Sequence, residues 1–481
     1  MGFADAYLHR SGLRNKLIAN RPHPDLDIII TIPAYNESGL LSGLDSLFQC
    51  GTAGIKAEVI VLVNAASGSP AGVIAQNRRT FREAVEWTAD HPHPGMAFHV
   101  LMDHSFGKKE AGVGMARKIL MDEAVRRFND LGREEGIIAS MDADAAVEAN
   151  YLQALTSLFR RERPDGCAVY FEHPLSGPGF SDETYRAVMQ YELHQRYYLQ
   201  SVRSTGYPHA FHTVGSSFAV RADVYCWEGG MNRRKGGEDF YFIQKVARRG
   251  NFRECNTTRV VPSPRASDRA PFGTGTVISR LLEDPDRPLL TYDPRPFAML
   301  RKFFSGLDIM YTEAGLDHFM KSLSPVLLDF LSGQDSGQAL VEIRRNTASA
   351  DAFRKRFWRW FHMLRILKFL HHARKHGYPD IPVQDAAAAL LREVAASHLH
   401  DTADTTLLRD ATLLRDATLL RDAALLRNAA LLSQAVPDPF RQSAAVLPGE
   451  AGATGFTQPD NTPGLRSLLE IYRRWDREGL F

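Results

Sequence analysis

Two pairs of carboxylates in this 481-residue chain are spaced to do chemistry. Asp142-Ala143-Asp144 follows the apolar run Ile137–Met141, and Glu238-Asp239 follows Gly236-Gly237. Carboxylates at i and i+2, leaving a buried strand, can hold a hard divalent cation. Mg²⁺ is typically bound by one or two carboxylates with phosphate oxygens and water, and Mn²⁺ suits the same oxygens. The pattern recurs at Asp25-Leu26-Asp27 and Asp284-Pro285-Asp286, but only the middle one follows a strong strand signal. Solvated turn carboxylates are the plainer alternative. Around the second pair, glycines let backbone approach a ligand, while acids at a helix start are also favoured by the macrodipole alone. A third segment, Ile32-Pro33-Ala34-Tyr35-Asn36-Glu37, sets polar residues just after an apolar run. Ligands of open α/β sheets bind at that end of a strand, although an ordinary strand-to-helix turn reads the same.

The elements that must position these residues are strands alternating with helices. Apolar runs at Asp27–Pro33, Glu58–Asn64, Phe98–Met102, Ile137–Asp142 and Cys167–Phe171 predict strands. Helical patterns at Leu40–Phe48, Lys109–Phe128 and Asn150–Arg160 lie between them. Such alternation predicts an α/β fold with a mainly parallel sheet flanked by helices. Strand signals fade from about Phe297, where Leu300–Leu331, Ala352–His376 and Gln384–Ala396 each read as helix. The expected organisation is therefore a catalytic-type α/β domain over 1–285 and a helical region over 297–400. A repeat tract follows over 401–435, a linker rich in Pro, Gly and Ala over 436–463, and a terminal helix over 464–481.

The repeat is TLLRDA from Thr406, Thr412 and Thr418, decaying to ALLRNA and ALLSQA. At roughly 100° per residue, six steps turn the leucine pair by about 240° each time. The leucines visit three sides of a helix and form no coiled-coil stripe. A tract of sequence duplication without catalytic role is the expectation, with an oligomerisation helix as the alternative.

Composition narrows the function classes. With 58 Lys and Arg against 56 Asp and Glu, the net charge is +2 and no basic excess points to nucleic acid. The four cysteines, at 50, 167, 226 and 255, form no C-x-x-C pair, which argues against a zinc ribbon and favours a reducing compartment. No apolar leader and no run of about 18 apolar residues is present, so a cytoplasmic location is expected. Phe353–Lys375 carries apolar residues at helical spacing with eight Lys or Arg between them and no acid. That pattern reads either as core or as peripheral contact with the inner face of a membrane. Arg265 and Arg269, beside a Gly-Thr loop, could clamp phosphate, or pair with acids on the surface. His209 and His212 read as loop histidines that could alternatively reach a metal or an acceptor.

Taken in order, these segments resemble the family 2 glycosyltransferases of the GT-A fold, from about Asp27 to Gly250. Ile32–Glu37 is similar to the family's opening strand and loop, and KKEAGVGMARKIL (108–120) to its Gly-x-x-x-Ala-Arg helix. SMDADAAVEANYL (140–152) is similar to its metal-binding segment, GSSFAVRADVYCWEGG (215–230) to its acceptor-side segment, and GGEDFYFIQKVARRG (236–250) to its Glu-Asp helix. The resemblance implies a metal-dependent, inverting transfer of sugar from a nucleotide-diphosphate donor to a hydroxyl of a saccharide or lipid-linked acceptor. It implies Mg²⁺ or Mn²⁺ on Asp144 and Asp142, with Asp142 also facing the donor. Asp239 would be general base with Glu238 beside it toward the acceptor, and Pro33, Ala34, Tyr35 and Glu37 would line the nucleoside pocket. One departure stands out. Where the family commonly has an Asp-Asp-Gly-Ser-like turn, this chain has Asn64-Ala65-Ala66-Ser67-Gly68, so an amide at Asn64 replaces a base-reading carboxylate. No Q-x-x-R-W motif of processive members is present. The rivals are a catalytically silent sugar-nucleotide binder or scaffold of the same fold, and a nucleotidyltransferase. The latter would need a Gly-rich basic loop after the first strand.

Overall fold

A computed structural model describes residues 2–11, 16–269, 273–401 and 462–479. The repeat tract and the linker lie outside the described residues, apart from residue 401 and the first residues of the terminal helix.

Eight strands form one sheet: β1 (Leu26–Ala34), β2 (Lys56–Ala66), β3 (Met96–Phe106), β4 (Ile137–Ser140), β5 (Ala146–Val147), β6 (Gly166–Phe171), β7 (Phe218–Arg221) and β8 (Phe252–Val261). Their order is β3-β2-β1-β4-β7-β6-β8-β5. Strands β5 and β7 run against the other six. The fold is thus α/β with a mainly parallel sheet, as the alternation of runs predicts.

The central strands are apolar throughout because both faces are covered. Ile28, Ile30 and Ile32 point into a core shared with the helices Leu40–Phe48 and Tyr151–Glu162. Ile29 belongs to the opposite core, under the helices Val113–Leu131 and Glu238–Ala247, and a register shift between Leu26 and Ile28 sends Leu26 there too. The period of two along β1 thereby sends alternate side chains to opposite layers.

A third core is built around the long helix Asp182–Ser204, against which the C-terminal helices pack. Leu300–Leu331 reads as one helix in the sequence but is four: Arg295–Ser305, Leu307–Thr312, Leu316–Lys321 and Pro325–Ser332. Gly306 sits against the Phe319 ring, where a Cβ would collide with it; Gly315 takes φ +76°; Pro325 starts a new helix. Ala352–His376 likewise divides into Ala350–Trp360 and Met363–Lys375. At the break Phe361 leaves helical geometry and buries fully, stacked on Phe357 and edge-on to Phe304. Phe353, Phe357 and Leu370 are buried in the same core. Among the described residues no helix is long and apolar enough to cross a membrane.

The helix Thr462–Glu478 closes this core. Its Asp476 accepts from Arg196 and, at 2.8 Å, faces His212 Nε2; its Arg473 donates to Glu192 at 2.7 and 2.9 Å. Arg196 and Glu192 are fully buried on the long helix. His212 is therefore committed to the terminal helix, and neither it nor His209 reaches the cleft described next.

Candidate functional site

The carboxyl ends of β1, β2 and β4 open into a cleft of about 1070 Å³. Small-molecule pockets span about 300–1,000 Å³, so this one has room for two reactants side by side. Pro33, Tyr35, Glu37, Asn64, Asp142, Asp144, Glu238 and Asp239 all line it. Ala34 does not: its side chain is buried in the sheet core, because β1 continues through it and alternation turns it inward.

The turn after β1 is held from below. Asn36 takes φ +49°, and its amide donates to Asn77 Oδ1 at 2.8 Å. Asn77 Nδ2 in turn donates to the Asn64 carbonyl at 2.9 Å. This fully buried amide on the helix Ala71–Asp90 thus ties the turn after β1 to the end of β2. Glu37 is 2% exposed and accepts from the Gly39 amide at 2.8 Å.

Arginines organise the carboxylates into two groups. In the first, Arg265 binds Glu37 through both terminal nitrogens, at 3.1 and 2.6 Å, and Arg269 adds a bond at 2.8 Å. The same pair reaches Asp144 Oδ2, at 2.9 and 3.5 Å. In the second, the buried Arg117 donates to Ser140 Oγ at 3.0 Å and pairs with both Asp142 and Glu238. Gly215 leaves the space for that guanidinium, since a Cβ there would lie 2.6 Å from it. Glu238 is 2% exposed and its carboxylate is committed to Arg117. The sequence expectation sets Glu238 toward the acceptor; in the structure its carboxylate faces Arg117. Asp239 lies beside it at the start of the helix Glu238–Ala247, half-buried on the cleft wall, and accepts from the Phe240 amide at 2.7 Å.

These placements move the acids apart in proton affinity. Burial raises the Glu37 carboxyl, but hydrogen bonds from Arg265 and Arg269 outweigh it and hold the group below the ordinary glutamate range. Burial, then the neighbouring charges of Asp142 and Glu37, hold Asp144 above the usual range against the pull of both arginines. Burial, then Glu238, push Asp239 up to about 7, with Arg117 and the Phe240 amide pulling the other way. Acids with perturbed affinities in a cleft mark functional sites. Burial disfavours the Arg117 charge, yet Asp142, Glu238 and Asp239 together raise its affinity for the proton, so it stays charged.

No family profile and no curated protein matches the chain. Solved structures do. S. aureus TarS residues 1–349 in complex with UDP-GlcNAc is 11% identical, covering 62% of this chain and 77% of that one at a TM-score of 0.33. GalNAc-T7 with UDP, GalNAc and Mn²⁺ is 14% identical over 54% of this chain and 48% of that one, also at 0.33. Those scores describe a loose superposition.

The far wall of the cleft comes from the long helix and the loop before it. Tyr191, Gln195 and His173 line it with Phe240, Thr274, Leu364 and Leu367. Tyr191 bonds Thr274 and lies close enough to Asp239 that burial and then that carboxylate push its phenol up to about 12. Sequence reasoning gave no role to Arg117, Asn77 or Tyr191. Arg117 stands inside the segment GVGMARKIL, and its motif was the one available signal; the other two carry none.

The residues present fit a divalent cation. Asp142 and Asp144 leave one strand toward one cleft, and their charges act on one another. Such an all-oxygen donor set suits Mg²⁺ or Mn²⁺.

Proposed function

We propose that the protein is a GT-A-type, family 2-like glycosyltransferase that moves a sugar from a nucleotide-diphosphate donor to an acceptor hydroxyl with inversion. The observation that carries this reading is the meeting of two acid groups in one cleft. Asp142 and Asp144 lie beside Arg265 and Arg269, while Asp239, poised near neutrality, lies on a separate wall. Charged groups for a diphosphate and a base for a hydroxyl are thereby provided together.

In this reading Asp142 and Asp144 would hold Mg²⁺ or Mn²⁺, which supplies Lewis-acid neutralisation of the diphosphate. Arg265 and Arg269, held in place by Glu37, would turn their remaining donors from Asp144 to phosphate oxygens of the leaving group. Asn64, Tyr35, Pro33 and Glu37 flank the nucleoside. Asp239 takes the proton as the acceptor oxygen bonds to the anomeric carbon and the bond from that carbon to the diphosphate oxygen breaks. Attack from the face opposite the leaving group inverts the centre. Glu238 and Arg117 fix the helix start that carries Asp239. The acceptor, a saccharide or lipid-linked hydroxyl, lies along Tyr191 and Gln195. Contact of 353–375 with an anionic membrane surface is carried by charge alone in this proposal, since Phe353, Phe357 and Leu370 are spent in the core.

The test is a panel of UDP-, GDP- and CDP-sugars with the full chain, with and without Mn²⁺. At least one donor should raise the melting temperature in a metal-dependent way and release nucleoside diphosphate. A ligand at 100 times its Kd stabilises by about 2.7 kcal/mol. Stabilisation without release, in every acceptor mixture, would favour the silent binder; no stabilisation by any donor would overturn the proposal.

A further inference from the structure

Outside the cleft, three potential metal ligands converge between two helices of the C-terminal region. Asp329 is on the helix Pro325–Ser332. His372 is in the last turn of the helix Met363–Lys375, and His376 caps that helix one turn on. One ligand atom from each lies within 4.8 Å of the others. We propose that Asp329, His372 and His376 form a site for a divalent transition metal of the Zn²⁺ class, which staples the two helices together.

The donor set and its spacing support this choice. Two histidines at i and i+4 fall on one helix face, and two imidazoles with one carboxylate suit zinc, leaving a fourth position to water. The His376 tautomer is already set. His376 Nδ1 lies 2.7 Å from the His372 carbonyl. A carbonyl only accepts, so Nδ1 carries the proton and Nε2 keeps its lone pair for a ligand. Metal-bound histidines are typically oriented by such an outer bond. His372 Nε2 is buried without a well-formed hydrogen bond, although Asp329 Oδ2 lies 3.1 Å away. Its other partner is the Val326 backbone, on the helix that carries Asp329. The imidazole rings stack with centroids 4.0 Å apart, which brings the two side chains together; binding one ion turns the exposed His376 ring out of the stack. Zn–N bonds are about 2.0–2.1 Å, which requires ligand atoms about 3.4 Å apart in a tetrahedron. Asp329 and His376 are exposed, so both can close the remaining gap by rotating side chains alone.

This site takes nitrogen ligands and lies apart from the oxygen donors of the cleft, so the two are separable. The full chain is stripped with a chelator and titrated with Zn²⁺ alone against a chromophoric competitor. The same titration is run on an Asp142→Asn/Asp144→Asn background. One equivalent of Zn²⁺ should bind in both proteins and raise the melting temperature of both. His376→Ala and His372→Ala should each weaken binding by about 100-fold or more, since even outer partners of a metal ligand cost about 10–100-fold. Asp329→Asn should weaken it by about 10-fold or more. Because His376 is exposed, His376→Ala should keep the metal-free melting temperature even if the half-buried His372 does not tolerate change. Failure of the wild type to take up an equivalent, or equal affinity in wild type and His376→Ala, overturns the proposal. Loss of binding only in the Asp142/Asp144 background would assign the metal to the cleft and overturn it as well.

Discussion

Asp239→Asn separates the chemistry from the architecture more sharply than any other single change. The substitution keeps the size of the side chain and its acceptor for the Phe240 amide, and removes the ability to take a proton. General-base catalysis contributes about 10²–10⁴-fold, so turnover should fall by that factor while binding of donor with Mn²⁺ persists. The proton affinity adds a pH signature. With a carboxyl at about 7, roughly a tenth of the wild type is ionised at pH 6. Its rate should therefore drop about tenfold per pH unit below neutrality, and the residual rate of the variant should lack that limb.

Stability should move in the opposite direction to activity. The folded carboxyl at about 7 binds its proton more tightly than the unfolded chain, whose aspartates titrate near 4. The ionised group therefore destabilises the fold fully above pH 7. The penalty fades as pH falls through that window and is gone below about 4. At about 1.36 kcal/mol per pKa unit, three units set a ceiling of about 4 kcal/mol. Asp239→Asn should melt higher than wild type at pH 8, by up to that amount, and the two should converge toward pH 4. Steady-state transfer assays and urea titrations at both pH values read the two effects. Wild-type turnover in the variant would place the base elsewhere; a stability difference independent of pH would refute the electrostatic account of Asp239.

Asp144→Asn should weaken Mn²⁺-dependent donor binding by about tenfold or more in calorimetric titration, because it removes a ligand where even outer partners cost about 10–100-fold. Arg117→Met leaves Glu238 buried without its counter-charge, and urea unfolding should show a loss of about 3–5 kcal/mol. Asp476→Ala should cost a similar amount at pH 7, because it strips the partner from the fully buried Arg196. Burial alone would raise the Asp476 carboxyl, but His212 and Arg196 hold it down at about 2. Its stabilising contribution is therefore present above about 4 and lost as pH falls toward 2, a dependence the alanine variant should lack. Deleting residues 406–435 should leave turnover within about twofold, since a six-residue period builds no single apolar face; a collapse in the transfer assay would show that the tract is needed.

Local signals carried the strands written as apolar runs, the half-exposed β3 among them, and missed β5, β7 and β8. Asp27–Pro33 and Glu58–Asn64 lie wholly within β1 and β2, their interiors apolar except for Thr31. β8 carries six polar residues among its ten, four of them consecutive, and only four residues of β7 pair, so neither stands out from the surrounding loops. The break-up of 300–331 depends on Gly306 meeting Phe319, a contact across 13 residues that no window of helical periodicity registers. The site divides the same way. Carboxylates that follow a strand or open a helix are visible in a linear reading. The partners of Arg117 lie 23, 25 and 121 residues away, so its role exists only after folding. Arg265 and Arg269 could be singled out as phosphate-binding types, yet their hold on Glu37, more than 200 residues distant, could not.

The long helix Asp182–Ser204 links the two halves of the molecule through two neighbouring faces, about 100° apart. Tyr191 and Gln195 look into the cleft, while Glu192 and Arg196 are buried toward the terminal helix. Positions 191 and 195 are four apart, as are 192 and 196, so each pair occupies its own stripe of the helix. A buried ion pair contributes little net stability against an apolar substitute, but leaving one partner alone is costly. The Glu192–Arg473 and Arg196–Asp476 contacts therefore act chiefly to fix the rotation of this helix about its axis. That rotation sets where Tyr191 stands relative to Asp239. The last helix of the chain thereby bears on the Tyr191 wall of the cleft, while the wall at the ends of β1, β2 and β4, with the arginines at 265 and 269, is built within the first 270 residues.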